Sequence, residues 1–189
     1  MKVNVGCGRD IREGWWNIDG VPTVGVDQVV DLDRPDHWKF ELGEPVTEWN
    51  VQHVIEHITN QLWLLEAMWE ASAEGAVARF ACPYGSSDDA WEDPTHVRPM
   101  YQSAWGYFAS PSYWKADYGY RGDWRVEQVQ LLVPAELIAG LSATEAFEVI
   151  RSRRNTVNEM KATLVAVKPA RPPDKDLREP LNLQLVEVS

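Results

Sequence analysis

The chain has 189 residues, 44% of them hydrophobic, and a net charge of −11, which suits one domain with its own core. The acidic balance argues against a nucleic-acid partner, since phosphate contacts draw on basic patches and the one basic cluster, Arg151, Arg153 and Arg154, is small. No stretch approaches the roughly 18 apolar residues that cross a bilayer, the opening MKVNVGCG lacks a signal-peptide core, and Cys7 and Cys82 form neither a disulfide framework nor a zinc spacing, so no membrane partner and a reducing, cytoplasmic location are expected.

Residues 3–5 predict a short strand running into Gly6-Cys7-Gly8. Trp16–Asp19 (WNID) and residues 24–31 (VGVDQVVD) predict a second and third strand, each closing on an acid. Such β-branched runs without clean alternation suit strands covered on both faces. Residues 46–51 predict a fourth strand of weaker pattern. Across residues 55–73, Ile58, Leu62, Leu65, Met68 and Trp69 recur at helical spacing and predict an amphipathic helix, ended by Glu74-Gly75. Residues 76–82 predict a fifth strand stopped by Pro83.

The stretch 84–124 is long, aromatic and irregular, which predicts a functional insertion or lid. Residues 134–141 predict a short helix, and residues 147–153 and 161–167 the last two strands. After Lys168 the composition turns to Pro and charge (PARPPDKDLREP). That division predicts one domain over residues 1–168 and an exposed tail over 169–189. The whole predicts an α/β fold with a mostly parallel sheet of about seven strands. Ligands of such sheets bind at the carboxyl ends of the strands, where Gly6-Cys7-Gly8, Asp19, Asp31 and the segment after Val51 all fall.

Gly6 and Gly8 allow a sharp turn and close approach of a ligand to the backbone. A dinucleotide fingerprint needs a third glycine where Ile11 stands, and no Gly-Lys-Ser/Thr is present. The turn therefore suits a ligand without phosphate, such as an adenosyl amino acid. Asp19 is suited to accept from both ribose hydroxyls and Asp31 from an adenine amine. Taken singly, the glycines also read as a plain turn and the acids as turn or cap residues.

VNVGCG, GWWNID, VVDLD, HVIEHI and DPTHVRP, in that order, resemble a group of small class I S-adenosylmethionine-dependent methyltransferases. Those proteins open on a strand and a Gly-Cys-Gly turn, then show Gly-Trp-x-Asn-x-Asp and His-x-x-Glu-His segments. The resemblance covers residues 2–100 and, more faintly, 161–168. It implies a Rossmann-like three-layer sandwich, S-adenosyl-L-methionine as cofactor, and methyl transfer to a small-molecule, saccharide or peptide-like acceptor. It also implies that Gly6, Cys7 and Gly8 line the methionine end of the cofactor. Asp19 would hold the ribose, Asp31 with Leu32 would sit by the adenine, and His53 would flank the cofactor. The chain departs from larger class I enzymes in lacking the third glycine. The short span from Gly8 to Asp19 leaves room for at most a turn or two of the first helix.

His53-Val54-Ile55-Glu56-His57 also matches the zinc pattern of inverted metalloproteases. On a helix the two imidazoles share a face, Glu56 would act as base, and Glu70, Glu74, Asp93 or His96 would supply a third ligand. The segment spans a strand-to-helix turn, and the upstream glycines and acids have no task in a hydrolase. No metal is therefore assigned, and a zinc hydrolase stays a rival, as does a non-catalytic Rossmann-like binding module favoured by the truncated first helix. At a plain helix start, Glu56 would favour the N-terminal dipole and His57 would pack with a hydrogen bond.

Asp93 and His96 follow the fifth strand, on the expected acceptor side, and with His57 are the candidates for proton abstraction. Asp93-Pro94-Thr95-His96 equally reads as a turn. The aromatic residues beyond it suit an acceptor wall or the core of a subdomain.

Overall fold

The computed structural model describes residues 1–34 and 42–188. Among the described residues, eight strands form one sheet: β1 (Lys2–Val5), β2 (Trp16–Asp19), β3 (Gln28–Val29), β4 (Val46–Gln52), β5 (Ser72–Pro83), β6 (Trp124–Pro134), β7 (Glu159–Ala166) and β8 (Leu183–Val188). Their order is β3-β2-β1-β4-β5-β7-β6-β8. All neighbours run parallel except β7, which is antiparallel to both β5 and β6. Helices α1 (Gln61–Ala71), α2 (Asp89–Glu92), α3 (Ala135–Ile138) and α4 (Ala143–Ser152) lie in the connections. From β1 the chain moves outward one way to β2 and β3, and from β4 the other way to β5. A crevice therefore opens beyond the carboxyl ends of β1 and β4.

No helix joins β1 to β2; a loop over residues 6–15 does so. The sheet face beneath it explains why. Asn4, Asn17 and Asn50 are register partners across β2, β1 and β4, so they share one face and are buried. Asn50 Nδ2 donates to Asn4 Oδ1 (2.7 Å), and Asn4 Nδ2 donates to Asn17 Oδ1 (3.1 Å) and to the Asp10 carbonyl (2.7 Å). Asn17 accepts from the Arg12 amide (2.9 Å) and donates to the Arg12 and Trp15 carbonyls (both 3.1 Å). An apolar helix face would leave these amides unpaired; the loop backbone satisfies them.

Val3 and Val5 alternate with Asn4 along β1 and join Ile18, Trp49, Val51 and Phe80 in the apolar core. Trp49, Trp105 and Trp124 are wholly buried, and each indole N–H has an acceptor: Ser72 Oγ (2.8 Å), Met160 Sδ (3.4 Å) and the Leu65 carbonyl (2.8 Å). Much of the aromatic stretch thus serves the core.

Several predicted elements are corrected. The helix expected over 55–73 is split. A 3-10 turn at Ile55–His57 is followed by an extended Ile58, and α1 starts only at Gln61, capped by the Asn60 side chain. Gly75 lies inside β5 (φ +74) and not at a helix end, where the β4–β5 register shifts and residues 73–76 are set off from the ladder. Only Gln28–Val29 of the run 24–31 is strand, because Gly25 turns with φ +92 and Val24 faces solvent. Of the residues expected as a strand over 147–153, 147–152 belong to α4, which opens on a Ser142–Glu145 capping box and buries Ala146 and Ile150. Strand β6 was not foreseen, and residues 183–188 of the expected tail pair with it as β8. Among the described residues, no helix is long and apolar enough to cross a membrane.

Candidate functional site

Two adjoining cavities lie at the carboxyl edge of the sheet. The first, of about 460 Å³, is lined by Gly6, Asp19, Gly20, Val21 and Val30 to Asp33, with His53, Val54, His57 and Ile58 opposite. Gly6, just after β1, takes φ +61, and a Cβ there would stand 2.3 Å from Val54 Cγ2. Glycine is thus required both by conformation and by the close approach of the β1 and β4 ends. Gly8 (φ +51) has open space around it, and its amide donates to Asp19 Oδ2 (2.7 Å). Asp19 Oδ1 accepts from the Val21 amide (2.9 Å). One carboxylate therefore ties the glycine turn to the loop after β2 and keeps lone pairs for a further donor.

Asp31 is exposed, Leu32 is buried, and both line this cavity. Asp31 Oδ1 accepts from the Asp33 amide (3.1 Å). Asp33 accepts from the Thr59 amide (2.7 Å) and hydroxyl (2.9 Å), which fastens the β3 loop to the segment before α1. Cys7 does not line the cavity. It is buried, its amide donates to the Ile18 carbonyl (3.0 Å), and burial, with Asp19 nearby, pushes its thiol up. Gly8 also stands off the lining and touches the site only through Asp19.

His53 and His57 are shared with the second cavity, of about 430 Å³, which adds Glu56, Pro83, Asp89, Glu92, Asp93 and His96. The three residues expected on the acceptor side, His57, Asp93 and His96, meet here. Asp93 Oδ1 accepts from the Thr95 hydroxyl (2.6 Å) and amide (2.8 Å), which hold its carboxyl below the usual range and make it a weak base. His57 Nδ1 lies 3.0 Å from Thr95 Oγ1. The Glu56 carboxylate beside Nδ1 (3.5 Å), joined by Glu159 at Nε2 (3.2 Å), raises His53 above the ordinary imidazole range.

His53 takes φ +53 directly after β4, and a 3-10 turn follows. His53 and His57 therefore do not occupy one α-helical face, and the paired-histidine helix of an inverted metalloprotease is absent from this segment.

No family model and no curated protein matches the sequence. Solved structures do match. A SAM-dependent methyltransferase from Archaeoglobus fulgidus aligns with TM-score 0.56 and 15% identity over 87% of this chain and 85% of its own. The YcgJ protein of Bacillus subtilis aligns with TM-score 0.53 and 10% identity over 88% and 92%. The chain has the Rossmann-like fold of S-adenosylmethionine-dependent methyltransferases.

In this methyltransferase-like fold the first cavity sits where an open α/β sheet places its ligand. Its wall includes residues to which the sequence assigned no site role. Val54 and Ile58 are apolar neighbours of the histidines, and Asp33 acts through a contact with Thr59 distant in sequence. On the aromatic side, Trp91 and Tyr101 both donate to the Gly85 carbonyl (2.9 and 3.0 Å), while Tyr107 and Tyr118 remain exposed.

Proposed function

We propose that the protein is an S-adenosylmethionine-dependent methyltransferase of the cytoplasm, acting on a small-molecule, saccharide or peptide-like acceptor. The observation that carries this reading is the convergence of Gly6, Asp19, Asp31, Leu32 and His53 on one cavity at the carboxyl edge of a methyltransferase-like sheet. Its volume lies within the roughly 300–1,000 Å³ of small-molecule sites. The residues present fit the cofactor: Gly6 lets the β1 turn line the cavity closely against Val54, and Asp19 offers spare acceptors to ribose hydroxyls. Asp31 would face the adenine amine, and Val30, Leu32 and Ile58 supply an apolar wall for the ring.

The bound cofactor supplies an electrophilic methyl group on a sulfonium. The chain's task is to hold donor and acceptor in line and keep water out. Because the two cavities share His53 and His57, an acceptor in the second lies next to the first. There the imidazoles of His57 and His96 are placed to take a proton from a neutral acceptor. Asp93, through Thr95, orients His57.

S-Adenosylhomocysteine at about 100 times its Kd should stabilise the native state by about 2.7 kcal/mol, a rise of roughly 5–10 °C in Tm for a chain of this size. Asp19→Ala should lose that rise with its circular dichroism unchanged. The missing helix between β1 and β2 favours a binding module without this cofactor, and an unmoved Tm at millimolar ligand would select that reading.

A further inference from the structure

The second cavity holds a carboxylate in an unusual state. The Glu56 side chain is 3% exposed, and neither oxygen receives a hydrogen bond. Its nearest charged partner is His53 Nδ1, at 3.5 Å. A buried carboxylate is costly unless donors or a cation compensate it. His96 is also largely buried, and its Nδ1 has no partner. One ligand atom each from Glu56, His57 and His96 lies within 4.8 Å of the others.

The surroundings orient this group. The Glu56 carbonyl accepts from the Val97 (2.9 Å) and Arg98 (3.3 Å) amides, which clamps the loop carrying His96 onto the turn carrying His57. The two rings meet edge to face with centroids 4.7 Å apart. The Thr95 hydroxyl donates its one proton to Asp93 (2.6 Å), so at Oγ1 it accepts from His57 Nδ1 (3.0 Å). That leaves the lone pair of His57 on Nε2. A ring N–H tied back to a protein oxygen, with the other nitrogen free, is the usual arrangement of a metal-ligating histidine.

We propose that Glu56, His57 and His96 form a binding site for a divalent transition-metal ion, with Zn²⁺ best matched to two imidazoles and one carboxylate. A tetrahedral site separates its donors by roughly 3.3 Å, so closure needs only small side-chain shifts. The ion would satisfy both orphaned groups at once. Asp89, Glu92 and Asp93 line the same cavity and add negative potential. Three protein donors leave a position open toward the cavity, where a bound oxygen would be polarised. The ligand set differs from the zinc pattern of the sequence: His53 is not a member, and Glu56 is a ligand and not a base. With the ion bound, His57 and His96 act as ligands instead of proton acceptors.

Chelator-stripped full-length protein titrated with Zn²⁺ by calorimetry should bind one equivalent. Glu56→Gln and His96→Ala should each weaken binding at least about tenfold. Absence of saturable binding, or wild-type affinity in both variants, overturns the proposal. Should either variant unfold, Co²⁺ added to wild-type protein decides. Two paramagnetically shifted imidazoles without thiolate absorption support the site, and a thiolate band or a single shifted imidazole refutes it. The proposal stands apart from methyl transfer. Zinc binding without a response to S-adenosylhomocysteine supports the site and counts against the methyltransferase reading; the reverse pattern does the opposite.

Discussion

Gly6→Ala probes the point where β1 and β4 diverge around the first cavity. Two costs add. An alanine held at φ +61 pays about 1–2 kcal/mol for left-handed backbone. Its Cβ would lie 2.3 Å from Val54 Cγ2, and forcing a methyl group into a filled space costs about 1–3 kcal/mol more. The total is about 2–5 kcal/mol. Gly8→Ala is the internal control. It has φ +51 with nothing within 4 Å, so only the backbone cost of about 1–2 kcal/mol applies. Val54→Ala removes the obstructing methyl groups, and in that background Gly6→Ala should also fall to about 1–2 kcal/mol. The resulting coupling of about 1–3 kcal/mol is readable from urea denaturation of the four proteins in a double-mutant cycle. Equal destabilisation by Gly6→Ala and Gly8→Ala, or no coupling to Val54, would refute the close-approach argument.

Two further outcomes are expected. Asn17→Ala removes the group that ties residues 12–15 to the sheet and leaves buried donors and acceptors unpaired; it should cost about 2–4 kcal/mol in denaturation and speed hydrogen exchange at the Arg12 amide. A loss within about 0.5 kcal/mol would contradict the role of the asparagine ladder. Burial pushes Tyr84 and Tyr113 to about 12 and Tyr120 well above its ordinary 10.0. The fold thus favours the neutral phenols, and the contribution of Tyr84 and Tyr113 to stability is full below about pH 10 and lost as pH rises through about 12. Phenolate absorbance of the folded protein at about pH 11 should lag the denatured chain, and a matching signal from protein still folded would refute this.

The parts legible in the sequence carry local punctuation. Gly6 follows β1 and Asp19 ends β2, so both strands and their place at one cavity on the sheet edge could be read directly. The short span from Gly8 to Asp19 announced a truncated first helix of at most a turn or two, where the structure has only a loop. It did not show that Asn4, Asn17 and Asn50 stand in register, since that depends on strand pairing across the sheet. In α4 the β-branched Val149 and Ile150, beside Phe147, suggested a strand; the Ser142–Glu145 capping box was the better signal. Strand β6 alternates buried Val129, Leu131 and Val133 with less buried residues, a pattern blurred by its register shift near Val126. The half-buried β8 gave little contrast. In the site, Asp31 and Leu32 line one cavity with Asp19, while Cys7 turned inward because its amide closes the turn onto Ile18. The gathering of Glu56, His57 and His96 needed the Val97 and Arg98 amides, contacts that no spacing rule reveals.

A crystal of the protein soaked in S-adenosylhomocysteine tests the central claim most directly. The account predicts the nucleoside in the cavity between Asp19 and Ile58, ribose hydroxyls on the Asp19 carboxylate and the adenine against Leu32. Density for the ligand at another site, or none at saturating concentration with that cavity accessible in the lattice, would contradict it.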